Sequence, residues 1–306
     1  MTRRALVTGA SGFAAPFLIR HLFESGYEIT GTTHGGGTSP DARSVPLDIT
    51  DAEAVRRVVS EFRPDEIYHL AGLTRPASGA VDEFHAVNFG GALNLLEAVK
   101  EEIPEASVLL VGSAYAYGRV DRPISEDVPL APMNHYGVSK AAAEMLGKTY
   151  ALEGMRVVLA RPFNHSGPGQ SPDFLLPTLV EQFAEIKKGK RDPVVRLGNL
   201  DSARDLSDAR DIVRAYRLML EKGASGEAYN AASGRGTSVE ETFEMVRKAA
   251  GETEVELEVE ASRVRASDIP FLVADIGKAK RELGWEPEIS LERTVREMVE
   301  DAEARS

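Results

Sequence analysis

Three polar side chains carry most of the chemistry that this sequence offers. Tyr136 and Lys140 are four residues apart in the segment NHYGVSK, and Ser113 precedes them. Residues i and i+4 of a helix share a face, so the ammonium would lie one turn from the phenol. We therefore expect Lys140 to lower the pKa of Tyr136 from about 10 towards the working pH. Tyr136 would then be a general acid in ketone reduction and a general base in alcohol oxidation, with Ser113 bonded to the same substrate oxygen.

A glycine turn near the N-terminus supplies the second signal. The segment TGASGF (8–13) follows the apolar run RALVT (4–8) and opens a helical pattern. Glycines in such a turn let backbone amides approach a pyrophosphate, and the helix N-terminus points at it. A lone Tyr-x-x-x-Lys usually marks a solvated helix face, and a lone Gly-x-x-Gly a tight turn. Together and in this order, they indicate hydride transfer to and from a nicotinamide.

Apolar segments of strand length alternate with segments of helical period through the first half of the chain. The predicted strands are 4–8, 27–33, 44–48, 66–72, 107–113 and 156–162. The predicted helices are 13–26, 51–62, 81–101 and 134–153. This alternation predicts an α/β protein with a doubly wound parallel sheet of the Rossmann type. Tyr136 and Lys140 would lie on the last of these helices, and Ser113 at the end of the preceding strand.

After the last of these strands the pattern becomes irregular, with a loop rich in Gly, Pro and Asn and then a mixture of helices and short strands. We expect a dinucleotide-binding domain of residues 1–162, to which 205–232 return. A smaller α/β substrate-binding lobe would comprise 163–204 and 233–306. The segment ETEVELEVE (252–260) alternates charged and apolar residues, which predicts an exposed antiparallel strand.

Composition excludes several classes of function. The chain has 306 residues, a formal net charge of -12 and no cysteine. The acidic balance argues against a nucleic-acid partner, and the lack of cysteine excludes disulfides and thiolate metal sites. No third ligand accompanies His69 or His165 at a sensible spacing, so we predict no metal site. Because a strand begins within the first ten residues and no apolar run approaches about 20 residues, we expect a cytoplasmic protein without a membrane partner.

The end of the second predicted strand bears on cofactor choice. A carboxylate there would bind the ribose 2′-hydroxyl of NAD. This chain has Thr33 and His34 instead, followed by three glycines. No carboxylate would repel a 2′-phosphate, so NADP is slightly favoured, although use of both NADP and NAD is compatible with the sequence. Asp48 and Ile49 follow the third strand, where the carboxylate could accept from an adenine amino group or cap the next helix.

A series of ordered motifs resembles the extended short-chain dehydrogenases/reductases that modify nucleotide sugars, over essentially the whole chain. Within this family the likeness is strongest to reductases of 4-keto-6-deoxy GDP-sugars. The motifs that carry it are TGASGF (8–13), LDI (47–49), HLAG (69–72), GSAYAYG (112–118), YGVSK (136–140), RPFNHSGPGQ (161–170), GNLDSARDLSDARDIVRAY (198–216), RVRASDIP (263–270) and LGWEP (283–287).

The resemblance implies roles for individual residues. Ser113, Tyr136 and Lys140 would form the catalytic triad, the last two also contacting the cofactor. The other cofactor-binding residues would be Gly9, Ser11, Gly12, Phe13, Ala14, Thr33, His34, Asp48, Ile49, Leu70, Ala71, Gly72, Thr74, Asn88, Pro162 and His165. Besides Ser113, the substrate would contact Tyr115, Asn164, Arg196, Arg204, Arg265 and Asp268. A nucleotide-diphosphate sugar would be the substrate, and the family resemblance implies a homodimer built from helices 81–101 and 134–153.

The residues after Ser113 separate the reactions of this family. A 4,6-dehydratase needs an acid/base carboxylate beside the catalytic hydroxyl in order to eliminate water. Ala114 and Tyr115 occupy those positions here, so a dehydratase is disfavoured. A 4-keto reductase and an NAD-dependent 4-epimerase both remain, because they use the same triad. A non-catalytic dinucleotide sensor is disfavoured because all three triad residues are present.

Overall fold

The computed structural model describes residues 2–74, 80–200, 202–251, 254–260 and 269–305. The strands are β1 (Arg4–Thr8), β2 (Glu28–Thr33), β3 (Arg43–Pro46), β4 (Glu66–His69), β5 (Ser107–Val111), β6 (Arg156–Pro162), β7 (Asn164–Ser166), β8 (Val194–Leu197), β9 (Ala203–Asp208), β10 (Ala228–Ala231), β11 (Gly236–Ser238), β12 (Glu256–Val259) and β13 (Phe271–Leu272). The helices are α1 (Ala15–Glu24), α2 (Ala52–Phe62), α3 (Asp82–Phe84), α4 (Gly91–Glu102), α5 (His135–Leu152), α6 (Leu175–Lys187), α7 (Ala209–Lys222), α8 (Val239–Ala250) and α9 (Leu291–Ala304).

The large sheet is parallel and doubly wound, as predicted. Its seven strands have the order β10-β6-β5-β4-β1-β2-β3. The chain therefore winds outwards in both directions from β1, which pairs with β2 on one side and β4 on the other. In such sheets the ligand crevice lies at the carboxyl ends of the strands, beside the point where the order reverses.

Helices cover both faces of this sheet, which explains the nearly continuous apolar character of its central strands. On one face α1 and α7 pack through Leu18, Ile19 and Tyr216. On the other face α2 and α4 pack through Val59 and Leu96. Pro16 lies at the start of α1, where the missing amide proton is no loss to the helix.

The remaining strands form two small sheets outside the large one. β9 lies between β11 and β13 and also pairs with β7. β8 pairs with β12, and α6, α8 and α9 pack around Phe183, Phe243 and Met298. The predicted antiparallel strand at 252–260 needs correction, because β12 pairs with β8 in parallel. Alternation of exposed and apolar residues indicates a one-sided strand and does not fix the direction of its partner.

The C-terminal half contributes to both parts of the molecule. β10 joins the large sheet beside β6, and α7 packs on its core. Trp285 is fully buried in the same core and donates its Nε1–H to Asp211 O. The domain boundaries given above remain a proposal. Within the described ranges, no helix combines the length and the apolar character needed to cross a bilayer.

Candidate active site

The glycine turn after β1 is packed so tightly that its first glycine excludes a side chain. Gly9 has φ +69°, and a Cβ there would lie 2.7 Å from the backbone of Ala71. The turn is closed by the Gly12 amide, which donates to Gly9 O at 2.9 Å, and it is tied to β2 by the Ala10 amide, which donates to Thr32 O at 2.8 Å. The exposed backbone from Ser11 to Ala14 leads directly into α1. This cradle fits a dinucleotide pyrophosphate.

The adenosine end of the predicted cofactor site lies beyond β2 and β3. Thr33 is buried and donates its hydroxyl proton to Gly36 O. His34 is exposed, with Nε2 3.8 Å from Asp48 Oδ2. Hydrogen bonds from the Thr50 amide and hydroxyl lower the pKa of Asp48. Asp48 therefore orders the turn before α2 and still presents its carboxylate next to His34.

Two of the predicted cofactor residues, Ile49 and Asn88, contact other residues of the protein. The side chain of Ile49 packs against Gly91, and its carbonyl accepts from Asn94 Nδ2 at 3.0 Å. Asn88 lies in a π-helical turn, His85–Gly90, between α3 and α4. Its amide accepts from Leu73 N at 2.7 Å and donates to Leu73 O and to Ser139 Oγ. Asn88 thus joins the loop after β4 to the catalytic helix.

The loop after β4 lies against the glycine turn. Leu70, Ala71, Gly72 and Thr74 follow the strand at its carboxyl end, and Ala71 N donates to Thr8 Oγ1 at 3.2 Å. A Cβ on Gly72 would lie 2.9 Å from Asn88 Oδ1 and 3.1 Å from Lys140 Nζ. A side chain there would push against the ends of Asn88 and Lys140, so glycine at this position leaves room for both.

Ser113 and Tyr136 meet at the carboxyl edge of the sheet. Ser113 lies two residues beyond β5, and Tyr136 lies in the first turn of α5, which Asn134 caps by accepting from Gly137 N at 2.8 Å. Tyr136 is partly buried, with ring centroids 6.1 Å from Phe84 and 6.0 Å from Tyr115. Burial raises the pKa of Tyr136, and a hydrogen bond from Ser113 partly offsets this increase.

Lys140 is turned towards the strand and not towards the phenol. Its Nζ donates to Val111 O at 2.7 Å, and burial lowers its pKa to about 8. The expected lowering of the Tyr136 pKa by Lys140 is therefore wrong for the protein alone. Tyr136 and Lys140 lie one turn apart on α5, but desolvation is the largest cause of the shift and raises the pKa of the phenol.

Residues at the end of β6 complete the cofactor side of the site. Pro162 is buried, and His165 follows on β7. Burial lowers the pKa of His165, whose Nδ1 lies 3.0 Å from Phe163 O and whose ring stacks on Phe13 at 6.1 Å. The stacked rings of His165 and Phe13 form one wall beside the glycine turn. Asn164 Oδ1 is buried and has no partner among the described residues, so it is available to a ligand.

The predicted phosphate-binding residues have different surroundings. Arg196, on β8, is half-exposed and pairs with Glu258 across the small sheet at 2.8 Å. Arg204 lies on β9 and, among the described residues, donates to the neighbouring carbonyl of Ala203. The carboxylate of the adjacent Asp205 instead accepts from Ser233, Gly234 and Ala274. Arg265 and Asp268 lie outside the described residues.

One buried cluster of hydrogen-bonded polar side chains was not predicted from the sequence. Arg161 on β6 makes two hydrogen bonds to Glu144 on α5, at 2.8 and 2.6 Å, and a third to Tyr117 Oη at 2.7 Å. Tyr117 in turn donates to Asn230 on β10. Glu144 is four residues after Lys140, so the same spacing that links Tyr136 to Lys140 could have indicated it. Within the described part of the chain, no cluster of histidines and carboxylates suits a metal ion.

Comparisons with known proteins agree with this geometry. A profile of the family described as GDP-mannose 4,6 dehydratase matches residues 6–298. The GDP-6-deoxy-D-mannose reductase of Pseudomonas aeruginosa is 31% identical over 313 residues, which cover 100% of this chain and 99% of the relative.

Two solved structures show how closely the fold is shared. RMD from Pseudomonas aeruginosa, complexed with NADPH, has a TM-score of 0.85 and 31% identity, covering 100% of this chain and 99% of that one. The UDP-glucose 4-epimerase of Thermotoga maritima, with UDP-glucose, has a TM-score of 0.88 and 28% identity, covering 97% and 98%. With the glycine turn and the Ser113, Tyr136 and Lys140 triad at one sheet edge, the chain belongs to the GDP-mannose 4,6-dehydratase family of extended short-chain dehydrogenases/reductases.

Proposed function

We propose that this enzyme uses NAD(P)H to reduce the 4-keto group of GDP-4-keto-6-deoxy-D-mannose, giving GDP-D-rhamnose. The observation that carries the proposal is the pairing of Ser113 and Tyr136 at the sheet edge with no carboxylate on the two residues after Ser113. The family profile includes dehydratases, but Ala114 and Tyr115 offer no group to eliminate water from the sugar. The full-length likeness to a GDP-6-deoxy-D-mannose reductase supports a GDP-sugar.

The cofactor would bind along the carboxyl ends of β1, β2, β4 and β6. The turn from Gly9 to Ala14 would hold its pyrophosphate, and Lys140 would donate to the ribose beside the nicotinamide. When bound, NAD(P)H supplies a hydride to a carbonyl carbon. The absence of a carboxylate at the end of β2 supports a preference for NADPH, and the NADPH complex of a 31% identical protein agrees with it.

The protein's own residues would handle the proton. Ser113 would hold the keto oxygen by a hydrogen bond, and Tyr136 would give its phenolic proton to that oxygen as the charge develops. Because burial raises the pKa of Tyr136, the phenol is fully protonated at neutral pH and ready to act as the acid. Asn164 Oδ1, which has no partner within the described part of the chain, would accept from the substrate. Arg196, Arg204, Arg265 and Asp268 remain proposed contacts of the nucleotide diphosphate.

A depletion assay tests the proposal. Purified protein is mixed with NADPH or NADH and with GDP-4-keto-6-deoxymannose made in situ by a dehydratase, and absorbance of the reduced nicotinamide is followed. We expect loss of one reduced cofactor per keto sugar, faster with NADPH. The same protein incubated with GDP-mannose and oxidised cofactor should form no keto sugar.

The second candidate is an NAD-dependent nucleotide-sugar 4-epimerase. It is favoured by the TM-score of 0.88 to a UDP-glucose 4-epimerase, whose chain is almost fully covered. An epimerase oxidises C4 and returns the hydride to the other face, so it consumes no cofactor. Purified protein that carries tightly bound NAD, interconverts UDP-glucose and UDP-galactose and leaves NADPH undepleted would replace the reductase with the epimerase.

A further inference from the structure

A small, largely enclosed cavity lies beside Lys140. It is bounded by β4, β5, α5 and the π-helical turn, and it has room for about one water molecule. Its polar walls are the side chains of His69, Asn88, Lys140 and Glu144. Apart from Lys140, the proposed reduction does not use the polar groups of these side chains.

The hydrogen bonds of Thr8 favour one tautomer of His69. Thr8 Oγ1 lies 2.8 Å from His69 Nδ1, and it accepts the amide proton of Ala71 at 3.2 Å. An amide only donates, so the hydroxyl proton of Thr8 has His69 Nδ1 as its acceptor among the described residues. His69 Nδ1 therefore carries the lone pair, and the ring proton is on Nε2. Burial and the charge of Lys140 lower the pKa of His69 to about 3, so the ring is neutral.

The Nε2–H group of His69 is a buried donor without an acceptor. His69 is only 3% exposed, and Nε2 has no hydrogen-bond partner among the described residues. Buried donors in folded proteins almost always find an acceptor in the protein or in ordered water. Asn88 Oδ1, which accepts from Leu73 N, is not within hydrogen-bond distance of Nε2, and the Asn88 nitrogen is a donor to Leu73 O and Ser139 Oγ.

The other walls of the cavity offer complementary groups. Lys140 gives one proton to Val111 O and has two more to donate. Glu144 Oε1 accepts from Arg161 and also pairs with Lys148 at 3.1 Å, whereas Oε2 accepts from Arg161 Nε and keeps a second lone pair. Burial alone would raise the pKa of Glu144, but the Arg161 guanidinium and Lys148 outweigh it, so its pKa is lowered and it is a carboxylate. The cavity therefore contains two donors and an acceptor around a space of one water.

We propose that this cavity is a binding site for one internal water, which accepts from His69 Nε2–H and the Lys140 ammonium and donates to the Glu144 carboxylate. His69 is then a positioning residue for Lys140, acting through the water. The bridge connects the catalytic lysine to the buried Arg161–Glu144 pair. It depends on residues of the protein alone and does not require the proposed substrate.

The proposal has a consequence for the charge of Lys140. The titratable groups around the cavity with Lys140 are Glu144 on its own helix and His69 on β4, Tyr136 lies one turn earlier on α5, and Arg161 and Lys148 are paired with Glu144. A water that accepts from the ammonium favours the charged form. Removing the donor that holds this water would lower the pKa of Lys140. As the pH is raised, the variant would then lose the ammonium charge, and with it affinity for the cofactor, at a lower pH than the parent.

The first test is the tautomer of His69 in the cofactor-free protein. Imidazole ¹⁵N–¹H correlation spectra of ¹⁵N-histidine protein resolve the two ring nitrogens of each histidine, and comparison with the His69→Gln variant assigns residue 69. We expect a neutral ring protonated at Nε2 from pH 5 to pH 8. A ring protonated at Nδ1, or one that gains charge within this range, would overturn the proposal.

The second test compares two substitutions at the same position. His69→Gln keeps an N–H donor near the place of Nε2, whereas His69→Met fills similar space without one. Calorimetric titration with NADPH from pH 6 to pH 9 should show affinity within about twofold of the parent for the Gln variant. The Met variant should bind NADPH at least tenfold more weakly than the parent at pH 8. As the pH is raised, its affinity should begin to fall at a lower pH than that of the parent.

Thermal unfolding of both variants guards against a purely structural effect. Equal losses of affinity in both variants, or none in either, would refute the water bridge. Should the Met variant fail to fold, a crystal structure of the Gln variant and parent decides the matter. Density for a water within hydrogen-bond distance of residue 69, Lys140 and Glu144 supports the proposal, and a dry cavity contradicts it.

Discussion

The ammonium of Lys140 lies 2.7 Å from the carbonyl oxygen of Val111, the last residue of β5. Ser113 follows only two residues later, and Tyr136 lies one turn before Lys140 on α5. The end of β5 thus leads to Ser113 and also holds Lys140, which lies on the same helix as Tyr136. Small shifts of α5 against β5 would disturb all three groups together.

Cofactor binding should take up protons in alkaline solution. Burial lowers the pKa of Lys140 to about 8, so the free enzyme loses this charge above that pH. Bonds from the ammonium to ribose hydroxyls favour the charged form and raise the pKa again. Calorimetry in buffers of different ionisation enthalpy should show uptake rising from near zero at pH 7 towards about one proton per site at pH 9. The Lys140→Met variant should show none, and equal uptake in that variant would contradict the assignment.

Replacing Tyr136 by Phe should remove turnover while sparing the cofactor site. Loss of a positioned general acid costs about 10²–10⁴-fold in rate. We expect kcat to fall by about this factor, with the NADPH dissociation constant within about threefold of the parent. Ser113→Ala should lower kcat less, because the phenolic proton remains available. Retained activity in the Phe variant would refute the proposed mechanism.

The Arg161–Glu144 pair should stabilise the fold around the triad. Both side chains are nearly inaccessible, and Glu144→Gln would leave the guanidinium without its charge partner. Breaking such a buried pair costs about 3–5 kcal/mol in the free energy of unfolding. The matched control is Lys148→Gln, which removes a partner of Glu144 that is 43% exposed and should cost less than about 1 kcal/mol.

The pH dependence of this stabilisation has a definite sign. The pKa of Glu144 is lowered in the folded protein, because Arg161 outweighs the effect of burial. Its contribution is therefore complete above the unfolded pKa and is lost as the pH falls through the folded pKa. Urea unfolding should show the largest difference between parent and Glu144→Gln at pH 7 and a smaller one in acid. An equal difference at both pH values would argue against an ionic pair.

An apolar stripe on α5 should mediate the expected homodimer. Val138, Met145 and Leu152 are spaced by seven residues and are 40%, 64% and 90% exposed. Side chains seven residues apart on a helix lie on one face, and exposed apolar faces often mark protein contacts. Light scattering should give twice the chain mass of 33.1 kDa for the parent and the single mass for Met145→Glu.

A matched control separates this stripe from general surface effects. Phe23 on α1 is 50% exposed and lies on a different helix. Phe23→Glu should leave the dimer intact. A parent protein that scatters as 33.1 kDa, or a Met145→Glu variant that stays dimeric, would exclude α5 as the interface.

The sequence alone determined the parts of this protein that depend on local periodicity. The alternation of apolar strand segments with helical segments was sufficient to predict a doubly wound sheet. The motifs placed Ser113 at the end of a strand and Tyr136 and Lys140 on the helix that follows it. These features can be read without tertiary information because the strand and helix periods extend over only a few residues. The preference for glycine in a tight turn is local in the same way.

Tertiary packing decided the rest. The parallel partner of β12 and the connection that Asn88 makes between Leu73 and Ser139 arise between segments that are distant in sequence. The pKa of Tyr136 followed burial and not the nearby lysine, because desolvation depends on everything packed around the phenol. The Arg161–Glu144 pair and the cavity beside His69 appear only when β4, β5, β6 and α5 are assembled, since no periodic pattern records which buried polar groups meet.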